Sequence, residues 1–95
     1  MSYFVTRVVL HHTSVKEDYS ALHAAMESNG FSRTVWGDDG KQYHLPPAEY
    51  LLMGSHAIAD VRASAVRAAT STGKYVSVLV TEGSSLNWQG LTVVS

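Results

Sequence analysis

Five histidines in a chain of 95 residues without cysteine are the first feature with chemical weight. Two of them, His11 and His12, are adjacent and close an apolar stretch over residues 2–10. Neighbours on an extended segment point to opposite faces, so one of the pair faces an open surface. An imidazole titrating near pH 6.5 (about its unperturbed pKa) can take the proton of a ribose 2′-OH or return one to a leaving 5′-oxygen. His11 and His12 are therefore the candidate general acid and base. The plainer reading is two loop histidines, one partly buried. No second histidine at helical i, i+4 spacing and no cysteine accompanies them, so no metal and no cofactor is expected.

Other residues suit an anionic polymer. Arg7 and Arg33 fall in extended stretches and have the planar fork that pairs phosphates. Tyr3, Tyr75 and Trp36 are strand aromatics; on one uncovered sheet face they would stack bases, and otherwise they form a dimer interface or an edge cluster. Arg62 and Arg67 read as the solvated face of a helix. The net charge of −1 argues against avid, sequence-independent nucleic-acid binding, but it permits a single-stranded RNA held by a few local contacts.

The remaining candidates have structural explanations. His23 follows Leu22 in a helical stripe and reads as a rim residue. His44 precedes a double proline. His56 opens a helix, where a cation opposes the helix dipole. Asp38 and Asp39 lie between two glycines and read as turn formers. A P-loop, a dinucleotide fingerprint and a Gly-x-Ser-x-Gly elbow are all absent.

Several elements must position these residues. Residues 2–11 alternate with apolar side chains on both faces, which predicts a central strand. Ser14 and Glu17 form a capping box, in which serine oxygen and glutamate each accept from a free backbone N–H. Val15, Tyr19, Leu22 and Met26 then trace a helical stripe, closed by Asn29–Gly30. Residues 31–36 predict a second strand, and residues 37–40 a turn. Residues 41–45 predict a return stretch broken by Pro46–Pro47, and residues 50–53 a third strand. Ser55 is placed to cap a helix over about 56–71, with Ile58, Val61, Ala65, Ala68 and Ala69 inward. Residues 75–81 predict the last strong strand, and residues 91–94 a marginal one.

The order strand, helix, strand, strand, helix, strand predicts an α+β fold of the ferredoxin-like βαββαβ type. Its four-stranded antiparallel sheet would carry both helices on one face. The expectation is one ferredoxin-like domain spanning residues 1–95. With 45% hydrophobic and 16% charged residues, the chain is expected to fold. The lack of cysteine favours a reducing cytoplasm, and no apolar run is long enough to span a bilayer, so no membrane partner is expected.

One resemblance adds to this. The stretch Asn29, Gly30, Phe31 and Ser32, then Val35, Asp38, Gly40 and Leu45, and the apolar run into Ala57 and Ile58, resembles the GhoS family. The likeness runs over most of the chain, from the first strand to about Thr81. It implies a small ferredoxin-like antitoxin of a type V toxin–antitoxin system, an endoribonuclease on the messenger RNA of a membrane toxin. The CRISPR adaptation nucleases, related to that family in fold, tend to carry an acidic residue near the end of the first strand. This chain has His11–His12 there, a departure that counts against a metal-dependent mechanism of that kind and leaves metal-free cleavage open. A non-catalytic interaction or regulatory module, dimeric through its sheet, is the alternative.

Overall fold

The computed structural model describes residues 2–11 and 16–94. In chain order the elements are β1 (Ser2–Leu10), α1 (Lys16–Ser28), β2 (Thr34–Trp36), β3 (Gln42–His44), β4 (Glu49–Gly54), α2 (Ile58–Thr70) and β5 (Val76–Gly83). Neither helix is long and apolar enough to cross a membrane.

β1 is central, as its two-faced apolar pattern predicts. It pairs antiparallel with β4 on one side, with Thr6 opposite Tyr50, and with β5 on the other, with Val8 opposite Val78. Phe4, Thr6, Val8 and Leu10 alternate inward and are buried. They meet Leu22 and Met26 of α1 and Val61, Ala65, Ala68 and Ala69 of α2. Both helices therefore cover the same face of β1. Each large side chain in this cluster contributes roughly 1.5–3 kcal/mol by leaving water. Alanines on α2 let that helix approach the sheet closely while keeping high helix propensity.

The single four-stranded sheet expected from the sequence is not formed. A three-stranded sheet has the order β4-β1-β5, and β2 and β3 form a separate two-stranded hairpin. The two meet at an isolated antiparallel bridge, where Ser32 and Leu51 exchange backbone hydrogen bonds of 2.8 Å each. Arg33 leaves the ladder after this one rung, and its carbonyl accepts from Leu45 N–H instead. The second strand is thus shorter than the 31–36 stretch the sequence suggested. The marginal strand expected over 91–94 is one bridge, Tyr43 to Val93.

The α1 stop follows its sequence signature. Gly30 adopts φ 88°, and the Phe31 N–H reaches back to the Met26 carbonyl at 3.1 Å. That is the left-handed closure that glycine permits at no steric cost. The Ser14 half of the capping box lies outside the described residues. Ser55 does not cap α2: the N-cap position is Ala57, with no side-chain hydrogen bond, and Ile58 is 43% exposed rather than inward.

Candidate functional site

Residues directly opposite in a ladder share a face. Tyr3, Val5, Arg7 and Val9 therefore lie on the helix-free side of the sheet with Glu49, Leu51 and Met53 of β4 and Ser77, Leu79 and Thr81 of β5. His11 continues this row past the end of β1. Its Nε2 lies 2.6 Å from Ser77 Oγ, and its backbone N–H donates to the Tyr75 carbonyl at 2.8 Å. Arg7 is exposed between Glu49 and Leu79, with one guanidinium nitrogen 3.9 Å from the Glu49 carboxylate. Four residues of strand separate Arg7 from His11, roughly 13 Å along the backbone. The two side chains are thus spaced for neighbouring positions on an extended polymer. His12 lies outside the described residues.

The aromatic candidates divide. Tyr75 is 81% exposed and stands beside His11. Tyr3 is at the other end of β1, roughly 26 Å away along the strand. It lies instead with Trp36, and both line a cavity of about 420 Å³ between the hairpin and the end of β4. Trp36 is 67% exposed. Asp39 serves its turn: one carboxylate oxygen accepts from Lys41 N–H at 2.9 Å and the other from the Tyr43 hydroxyl at 2.6 Å. The hydroxyl bond holds the Asp39 carboxyl below its ordinary pKa. Among the described residues there is no cluster of three or more metal-ligating side chains.

Arg33 is not beside Arg7. It lines a cavity of about 370 Å³ on the helix side of the sheet, with Tyr19, His23, Leu45, Pro47 and Ala48. At its edge the His23 Nδ1 lies 2.6 Å from the Tyr50 hydroxyl. Tyr50 is fully buried, and burial pushes its pKa up to about 12. The phenol therefore keeps its proton at neutral pH. Burial and then the nearby Arg33 charge lower the pKa of His23, which favours the neutral ring. With Tyr50 donating, His23 is fixed as the tautomer carrying its proton on Nε2. The cavity wall also holds Ala48 at φ 68°, a left-handed conformation costly for any residue with a Cβ. Its carbonyl accepts from Val8 N–H at 2.9 Å, which ties this turn to β1.

His23 is half-buried at the rim of α1, and its partner Tyr50 lies in the 50–53 stretch predicted as a strand. Two signals pointed to their meeting. Tyr19 and His23 share one helix flank at i, i+4 spacing, and a tyrosine within a buried strand needs a partner for its hydroxyl.

Comparison of the chain with protein-family models, with curated proteins and with solved structures finds no match.

Proposed function

We propose that this chain is a ferredoxin-like RNA-binding domain of the cytoplasm. Within that class we read it as an antitoxin of the GhoS type, cutting a single-stranded toxin messenger RNA on the open face of its three-stranded sheet. One observation supports the fold half of this reading. The order β4-β1-β5, with the stretch before β2 bridged to β4, follows the strand succession of a βαββαβ sheet in which β3 is an added hairpin arm. The residue pattern from Asn29 to Ile58 supports the family half.

The observation that carries the chemical half is the contact of His11 Nε2 with Ser77 Oγ on the helix-free face, in the same row as Arg7. In this mechanism the 2′-oxygen of the RNA attacks the adjacent phosphorus as its proton passes to a base. The 5′-oxygen leaves with a proton from an acid, and a 2′,3′-cyclic phosphate results. His11 supplies one of these roles and His12 the other. Ser77 holds the His11 ring. Arg7 grips the neighbouring phosphate, and Tyr75 stacks on a base beside His11. No metal is required.

Labelled single-stranded RNA incubated with the purified protein in EDTA tests this. Cleavage that falls by about a hundredfold or more in His11→Ala is the expected result. No cleavage by the native protein, or cleavage unchanged in a His11→Ala/His12→Ala double variant, overturns the catalytic assignment.

Leu79 favours a second reading. It is 65% exposed on the same face, which also carries Met53, 48% exposed, four residues further along the sheet. Such residues suit a non-catalytic module that pairs with a second copy through the open sheet. Light scattering separates the two readings. A dimer that Leu79→Lys dissociates, together with absent RNA binding, favours the module.

A further inference from the structure

The cavity on the helix side of the sheet is a second place where chemistry gathers, and the RNA reading does not use it. It joins a cationic fork, a fixed imidazole donor and an aromatic wall. Its volume of about 370 Å³ lies within the range of small-molecule sites. Leu45, Pro47 and Ala48 make one side apolar, and Tyr19 offers a ring. Among the described residues, the Arg33 side chain forms no ion pair or hydrogen bond, whereas Arg7 has Glu49. Tyr50 occupies Nδ1 of His23, so Nε2 is the ring nitrogen left for a ligand, and with Tyr50 donating it carries the proton. His23 lines the cavity and Tyr50 does not, so the ring face away from Tyr50 is the one a ligand meets.

We propose that this cavity binds a phosphate monoester on a planar, partly apolar body, the chemistry of a nucleoside monophosphate. The Arg33 fork takes two phosphate oxygens and the His23 Nε2–H takes a third. Three terminal oxygens are what distinguish this anion from a carboxylate, whose two oxygens the fork alone would consume. Tyr19 and Pro47 flank the planar body. Glu27, whose charge also reaches His23 and Tyr50, is the acidic group that opposes the anion. The site is on the opposite side of the sheet from His11 and Arg7, and it stands whether or not RNA is cleaved there.

Titration of the isotope-labelled full chain with phenyl phosphate, uridine monophosphate and uridine, followed by NMR, tests the proposal. Both phosphate esters should shift Tyr19, His23, Arg33 and Ala48. Uridine should bind roughly tenfold more weakly or worse. Arg33→Gln should weaken the esters by roughly tenfold, and Glu27→Gln should tighten them; both residues are exposed, and the thermal midpoint checks their folding. Tighter binding of phenyl phosphate than of the nucleotide would mean that a phosphorylated aromatic is the ligand; the reverse order identifies a nucleotide. Absence of shifts up to about 10 mM ester, shifts centred on Arg7 and His11, or affinity unchanged in Arg33→Gln would overturn it.

Discussion

The Tyr50 hydroxyl and the Nδ1 of His23 are 2.6 Å apart, joining a buried position of β4 to the flank of α1. Among the described residues, neither side chain hydrogen-bonds to another side chain of its own element. The bond connects two parts of the chain that are 27 positions apart.

Tyr50→Phe removes this bond and leaves the ring in place. Stability should fall by about 0.5–1.5 kcal/mol, measured by chemical denaturation. The imidazole nitrogen shifts should change as well, from one dominant tautomer to a mixture. An unchanged tautomer ratio would show that Tyr50 does not set it.

Acidification should weaken the fold through His23. The folded-state pKa is lowered from 6.5, while the unfolded chain keeps about the ordinary value. Between the two, the unfolded state binds the extra proton. The contribution of the neutral ring is therefore complete above pH 6.5 and is lost as pH falls through 6.5 towards the folded value. The difference in stability between native protein and His23→Gln should be constant from about pH 7.5 to 6.5 and change only as pH falls further towards about 5.

Thr6 is fully buried opposite Tyr50, and its hydroxyl oxygen has no hydrogen-bond partner among the described residues. Thr6→Val exchanges an unsatisfied polar atom for a methyl of similar size. The variant should be more stable by about 1 kcal/mol, read as a shift in the denaturant midpoint at constant slope. A loss of stability would mean that the hydroxyl has a partner in solution.

Ala48 at φ 68° predicts an unusual glycine effect. Ala48→Gly should stabilise by roughly 0.5 kcal/mol, because relief of about 1–2 kcal/mol of left-handed strain exceeds the added chain entropy. Ala48→Val should destabilise at the same position. Thermal melts of the three proteins give the order directly.

The parts of the fold readable from the sequence are those governed by local rules. Tyr19, Leu22 and Met26 repeat at helical spacing, and Leu22 and Met26 are buried. Val61, Ala65, Ala68 and Ala69 do the same for α2. Gly30 closes a helix because its conformation belongs to glycine. The division of the sheet was not readable. It depends on where Arg33 leaves the ladder, and hydrogen-bond partners chosen between Phe31 and Leu45 leave no periodic trace. The start of α2 was misplaced for a similar reason. Ser55 has the chemistry of a cap, but Gly54 at φ 135° and the turn after β4 carry the chain past it.

Site residues follow the same division. Alternation along β1 puts Arg7 and His11 in one row, and this follows from strand period alone. The separation of Arg33 from Arg7 does not, because it depends on the Ser32–Leu51 bridge after which Arg33 leaves the ladder. The meeting of His23 with Tyr50 and Ala48 joins two segments distant in sequence, and packing brings them together.

The single rung between Ser32 and Leu51 makes the domain mechanically two-part. One side is a body of three strands and two helices; the other is a hairpin arm. Residues near the C-terminus brace the arm rather than the body: His44 N–H donates to the Thr92 carbonyl and Val94 N–H to the Gln42 carbonyl, each at 2.8 Å. Few backbone hydrogen bonds join arm to body, so the arm should open at lower cost than the body, and removal of residues 92–94 should loosen the arm first. The chain thus contains a built-in fracture line, along which slow opening would precede global unfolding.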